Sequence, residues 1–166
     1  MLYFCFDAET DGLYGEAFAI AAVVMDGHGD LIDLFSKKCI APGVFDEWTR
    51  KNCLPYLDDI ENCKSRNLLI SEFWDFYIKW KDRCISVADV PCPVEANLLR
   101  TCVKIDEPDR RFMAPFPLID VASVLYAKGI DPLIDRLEFS GHNGDKHNPI
   151  DDAIASVKCL LKAMSM

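Results

Sequence analysis

An α/β domain built on a central mixed sheet, its first three strands antiparallel and helices on both faces, is predicted by three features of the sequence. An apolar run, "LYFCFD" (Leu2 to Asp7), opens the chain. A second, "AFAIAAVVMD" (Ala17 to Asp26), shows little polar alternation, the mark of a strand buried on both faces. Beyond it, segments of helical period alternate with short apolar stretches, which gives a layered α/β order. At 166 residues and 51% hydrophobic, the chain has the size of one domain with a full core, so a single domain spanning 1–166 is expected.

Leu2 to Asp7 is placed centrally by the apolar run that follows it. "DGHGD" (Asp26 to Asp30) is a Gly/Asp turn suited to joining hairpin strands, and it leads into a third strand, "LIDLFSKKCI" (Leu31 to Ile40). After Pro42 and Gly43 the pattern turns helical. Ser71 reads as the N-cap of "EFWDFYIKWKD", in which Phe73, Phe76, Tyr77 and Trp80 fall at i, i+3, i+4 and i+7. That stripe is read as core packing and not as a base-stacking platform. "CISVAD" (Cys84 to Asp89) is a short strand ending on an acid, followed by "PCPVEANLLRTCV", with Pro93 in the first turn of a helix and Glu95 just inside it. "FPLIDVASVLYAKGI" gives a short strand and then a helix closing at Gly129, a C′ glycine. Pro149 to about Met164 forms a final amphipathic helix.

Charge and composition exclude several classes of function. A net charge of −9 argues against broad electrostatic binding of duplex nucleic acid. A nucleic-acid substrate would instead be short or single-stranded, held by metal and local contacts. The start of the chain has no basic n-region, and its apolar run is too short for a signal peptide or a membrane span, so a cytoplasmic protein with no membrane partner is expected. Eight cysteines lie in apolar segments without a C-x-x-C pair or zinc spacing, and they are read as reduced core thiols.

The chemistry gathers at the ends of elements. Asp7 and Glu9 stand at i and i+2, so they project to one face of a strand that extends that far. Two carboxylates aimed at one point suit Mg²⁺ or Mn²⁺, which take oxygen ligands; two-metal phosphoryl hydrolases gather several such acids around ions roughly 3.5–4 Å apart. Asp89 and Glu95 lie at the carboxyl end of a strand, where open α/β folds place ligands, although Glu95 in a first turn is also an ordinary partner of the helix dipole. In the last helix Ile150, Ile154, Val157 and Leu161 form one stripe. Asp151 shares a face with Lys158, Lys162 and Ser165 and reads as solvated. Asp152 shares its side with Ala155, Ser156, Cys159 and Ala163, small residues that allow close approach of backbone, and so faces protein. His147 lies just upstream in the loop "SGHNGDKHNP", from which a side chain can swing over a site. Asp11 is read as a turn residue.

Taken together, "FDAETDGL", "VADVPCPVEANLL" and "HNPIDDA" resemble the three motifs of the DEDDh superfamily of 3′-to-5′ exonucleases, in the right order and from Phe6 to Ala153. The resemblance implies an RNase H-like fold and hydrolysis of single-stranded RNA or DNA from its 3′ end. It implies two divalent cations, Mg²⁺ or Mn²⁺, with Asp7, Glu9 and Asp152 at metal-ligand positions and His147 as the base that deprotonates the attacking water. The middle motif departs from the family pattern. Aligned on its helix, Glu95 takes the place of the usual aspartate and is favoured over Asp89, six residues earlier. The departure points to a divergent subgroup similar to the small bacterial or phage exoribonucleases described as RNase AS-like.

The same resemblance places Thr10, Gly12 and Leu13 against the terminal nucleotide, with Leu13 as a wedge. Trp48, beside Arg50 and Lys51, could stack a base; a helix-capping hydrophobe is the competing reading. Family members commonly dimerise, so a homodimer is among the states allowed. Two rival functions remain from the sequence. One is a haloacid-dehalogenase-like phosphatase, against which Glu9 stands where an aspartate is wanted. The other is a binding module that has lost cleavage, which the altered middle motif keeps open.

Overall fold

Alternation along the first strand decides how the layers form. In the computed structural model, which describes residues 1–40 and 45–166, strand β1 (Leu2–Thr10) sends Phe4 and Phe6 to one face and Tyr3 and Cys5 to the other, and all four are buried. Such a strand must be covered on both sides, as must β2 (Ala17–Asp26), buried along nearly its whole length. β3 (Leu31–Lys38) completes an antiparallel trio with them, joined to β2 through the Asp26–Asp30 turn. β4 (Glu61–Asn62) adds two residues parallel to β3. On the other side β5 (Cys84–Ala88) runs parallel to β1, and β6 (Ile119–Asp120) parallel to β5. The sheet order is β4-β3-β2-β1-β5-β6, the mixed α/β sheet with β1 inside it that the sequence predicts. The predicted break at Pro42 and Gly43 lies outside the described residues.

Helices cover both faces. Phe4, Phe6, Ile20 and Val24 pack under α2 (Arg66–Trp80) and α3 (Val94–Ile105), where Phe73, Tyr77 and Trp80 of the aromatic stripe are buried with Trp74, and Phe76 is partly covered. Tyr3, Cys5, Val23 and Val87 pack on the opposite face against α5 (Val121–Ala127) and α7 (Pro149–Ser165). Shorter helices are α1 (Glu47–Asn52), α4 (Glu107–Arg110) and α6 (Arg136–Ser140).

Four local expectations need correction. α2 begins five residues before Ser71. Ser65 is its N-cap, its hydroxyl accepting from Leu68 N at 3.3 Å, because the apolar stripe runs back through the buried Leu69 and Ile70. Pro93 is the N-cap residue of α3 and not part of its first turn. Cys92 is exposed; the other seven cysteines are buried or partly buried free thiols. Asp151 is not a solvated residue: its carboxylate holds His142 Nε2 at 2.8 Å and accepts from Asp145 N at 3.0 Å, pinning the loop that carries His147. The C′ position of Gly129 holds, with φ +74°, a left-handed conformation that suits glycine.

Candidate active site

β1 carries its acids on the face that meets α7. Asp7 and Glu9 continue the Tyr3–Cys5 side of the pleat, and the residues opposite them on β2 are Ala21 and Ala19, so β2 sets only small side chains beside the two carboxylates. A register shift between Glu9 and Thr10 ends regular pairing at this point. The chain then turns through Gly12, whose φ of +76° is left-handed; Thr10 Oγ1 donates to Gly12 O at 2.8 Å, and Gly15 N to the same carbonyl at 2.9 Å. Asp11 accepts from Asp46 N at 3.1 Å, which ties this turn to the start of α1. Leu13 projects from the turn, about two-thirds exposed.

α7 supplies the third acid. Its buried side runs through Ala153, Ser156, Cys159, Leu160 and Ala163, and this small-residue side is what packs against β1 and β2. Asp152 stands at the head of that side, with Asn148 as N-cap and Pro149 in the first turn. Carboxylate oxygens of Asp7, Glu9 and Asp152 lie within 4.8 Å of one another. Asp152 also accepts from His147 N at 3.0 Å, and His147 has φ +63°, an uncommon backbone held by that bond. The ring of His147 is about two-fifths exposed, with Nδ1 4.0 Å from Glu9 Oε1. Trp48, on α1 and more than half exposed, packs edge-on against it at 5.2 Å between centroids.

Glu95 and Asp89, which the sequence left as alternatives, occupy different environments. Glu95 is 4% exposed at the start of α3, and its charge is the strongest electrostatic influence on Asp7. Asp89, at the tip of β5, is taken by Arg136, whose Nε and Nη2 donate to its two oxygens at 2.8 and 3.0 Å. Next to it Val90 holds φ +46°, a strained conformation for a β-branched residue, fixed where its N–H meets Asp120 Oδ1 at 3.0 Å.

The electrostatics follow from crowding acids in a partly dry place. Burial, then the charges of Glu95, Asp152 and Glu9, hold the Asp7 carboxyl well above the usual carboxylate range. Burial pushes Glu9 up too. It raises Glu95 to about 8, and it raises Asp152, aided by Glu9, to about 7. Among the described residues no lysine or arginine pairs with Asp7, Glu95 or Asp152. The His147 ring is moved the other way, below its ordinary value, by burial and by Lys146. All these groups line one cleft of about 660 Å³, together with Thr10, Gly12, Leu13 and Trp48.

The donor set fits hard divalent cations. Four crowded carboxylates that make no ion pair with a lysine or arginine among the described residues, Lys146 acting on Asp152 only without direct contact, favour positive charge from elsewhere, and oxygen ligands suit Mg²⁺ or Mn²⁺. The arrangement can therefore hold a divalent cation on Asp7, Glu9 and Asp152, with Glu95 and the His147 ring lining the same cleft.

Several participants escaped the sequence reading. Cys53, fully buried at the end of α1, brings its Sγ within 4.8 Å of Glu9 and His147. Arg136 reaches Asp89 from 47 residues away, and His142 meets Asp151 from nine residues away through the intervening loop; no local pattern marks either contact. Asp46 had a signal: it is an N-cap, accepting from Thr49 N at 2.7 Å, in the Asp-x-x-Thr context ahead of Trp48.

No protein-family model matches the chain, and no curated protein matches it in sequence. Among solved structures it is similar to Exonuclease X in complex with 5′ overhanging duplex DNA, with a TM-score of 0.53 and 17% identity over 98% of this chain and 91% of that one. The fold, a mixed α/β sheet of the RNase H-like kind, is thus shared over almost the full length of both.

Proposed function

We propose that the protein is a metal-dependent exonuclease that hydrolyses phosphodiester bonds from the 3′ end of single-stranded RNA or DNA. The observation that carries this reading is the convergence of Asp7, Glu9 and Asp152 to within 4.8 Å, with Glu95 and His147 lining the same cleft. The fold shared with an exonuclease in complex with DNA supports it.

Asp7, Glu9, Glu95 and Asp152 are the residues to hold the cations, and Asp89 is not, because Arg136 already saturates it. Two divalent ions held there would supply Lewis-acid activation of the attacking water and neutralise charge at the departing 3′ oxygen. His147 takes the water's proton. Its depressed pKa keeps the imidazole neutral at pH 7, the form a general base needs. Three contacts keep that loop in place: His147 N on Asp152, the Trp48 edge on the ring, and Asp151 on Asp145 N. At the cleft mouth, Leu13 offers an apolar wedge for the terminal base, Trp48 a face for stacking, and the Thr10–Gly12 turn a close backbone approach. The net charge of −9 favours a strand gripped at its end over broad binding of a duplex.

The test is a single-stranded oligonucleotide labelled at its 5′ end, incubated with Mg²⁺ or Mn²⁺. A ladder that shortens stepwise from the 3′ end and vanishes in chelator is expected. Cleavage that is internal, or that continues in chelator, overturns the reading.

A further inference from the structure

We propose that Glu9, Cys53 and His147 form a second kind of cation site, for a thiophilic divalent ion such as Zn²⁺, and that its occupation shuts the hydrolytic cleft. A carboxylate oxygen, the Cys53 Sγ and a ring nitrogen of His147 lie within 4.8 Å of one another. This O, S, N set differs in chemistry from the all-oxygen group of Asp7, Glu9 and Asp152. Sulfur and imidazole select zinc-like ions, whereas Mg²⁺ and Mn²⁺ prefer oxygen.

Cys53 is placed as a fixed ligand. It is fully buried among Phe18, Leu57 and Ile60, and its N–H donates to Thr49 O at 3.0 Å. His147 is the adjustable partner: its backbone is held on Asp152, but its ring is partly exposed and can turn about its side-chain bonds. Tetrahedral bonds to zinc bring ligand atoms to about 3.3–3.8 Å of one another, so from separations of at most 4.8 Å the ligands close by no more than about 1.5 Å onto a stationary sulfur. The hydrolytic reaction proposed above uses no thiol, which leaves Cys53 without a part in it.

Binding displaces the thiol proton to solvent. The 2+ charge is then balanced by the thiolate and the Glu9 carboxylate, with imidazole as a neutral third donor. Two consequences follow for the cleft: Glu9 is withdrawn from the catalytic cations, and the imidazole lone pair is occupied, so the base is lost. The inhibitory consequence rests on the nuclease reading, while the binding site does not.

The probe is Cd²⁺, added to the full chain in excess Mg²⁺ and followed by thiolate-to-cadmium charge-transfer absorption. Wild type is expected to develop the band with one equivalent, and the exposed Cys92→Ser variant to match it. Cys53→Ala should lose the band, and His147→Ala should bind at least about tenfold more weakly. Because Cys53 is buried, His147→Ala also serves as the decisive variant if Cys53→Ala does not fold. A band and affinity unchanged in both variants overturn the site.

The second arm titrates Zn²⁺ against Mg²⁺-dependent cleavage. Cys53→Ala should need at least about tenfold more Zn²⁺ than wild type for half inhibition. Equal inhibition of the two overturns the link to catalysis. Cadmium binding at Cys53 in a protein that cleaves nothing supports the site and sinks the nuclease reading.

Discussion

Arg136 grips Asp89 by both carboxylate oxygens, and the rest of its guanidinium is spent on the carbonyls of Pro132, at 2.7 Å, and Ile134, at 2.5 Å. The pair ties the tip of β5 to the start of α6, and both side chains are largely covered. Removing one partner leaves a desolvated charge behind. Asp89→Asn is therefore expected to lower unfolding free energy by about 2–4 kcal/mol, a little under the figure for a wholly buried pair. Urea unfolding measures it, and the specific activity of the folded fraction should stay within a few-fold of wild type.

Glu95→Gln should behave in the opposite sense. It removes a buried carboxylate that repels Asp7, so metal-free stability is expected to rise, while hydrolysis falls by about a hundredfold or more through loss of a cation ligand. Melting temperature in chelator, read beside the rate in Mg²⁺, checks both. Loss of stability with retained activity would show that Glu95 is an ordinary first-turn acid of α3.

Without cations, stability should depend on pH in a stated direction. Glu95 titrates at about 8 and Asp152 at about 7 in the folded chain, against about 4 for carboxyls in the unfolded one. Between those values the folded state binds more protons than the unfolded state, so stability falls as pH rises through roughly 4 to 8. Thermal melts in chelator should show a lower midpoint at pH 8.5 than at pH 5.5. Mg²⁺, which favours the ionised carboxylates, should raise the midpoint most at the alkaline end, and Asp152→Asn should flatten the chelated profile.

His147 must be neutral to accept a proton, and Lys146 beside it helps to keep it so. The acid limb of the pH–rate profile is thus expected below the ordinary histidine value of about 6.5. Lys146→Met should move that limb upward, since it removes a positive neighbour, whereas His147→Ala should lower the rate by about 10²–10⁴. An acid limb that stays in place in Lys146→Met contradicts the assignment of the base.

Much of this was legible in the chain because it was local. The pleat put Asp7 and Glu9 on one side, and the small residues Ala155, Ser156, Cys159 and Ala163 marked the face of α7 that carries Asp152 inward. The antiparallel start of the sheet followed from two apolar runs and a Gly/Asp turn. What stayed hidden depends on partners outside each residue's own element. Asp151 reads as solvated from the helix periodicity alone, because its partner His142 Nε2, at 2.8 Å, is carried back to it by a loop whose path that periodicity does not describe. The helix alignment favours Glu95, but Asp89 stays an alternative until Arg136, 47 residues from it, is placed. Ser71 stood in for Ser65 because the aromatic run is conspicuous and the Leu69–Ile70 turn before it is not. β4 is only two residues long and carries no alternation to read.

The central claim is that the crowded carboxylates exist to hold catalytic cations, and Asp7→Asn tests it most directly. The variant and the wild type are compared for shortening of a 5′-labelled single strand in Mg²⁺ and for melting temperature in chelator. The account predicts a variant that melts at a higher temperature without metal, because the buried carboxyl crowded by Glu95, Asp152 and Glu9 is gone, and that leaves the 3′ end intact. An Asp7→Asn protein that still shortens the strand at the wild-type rate would contradict it.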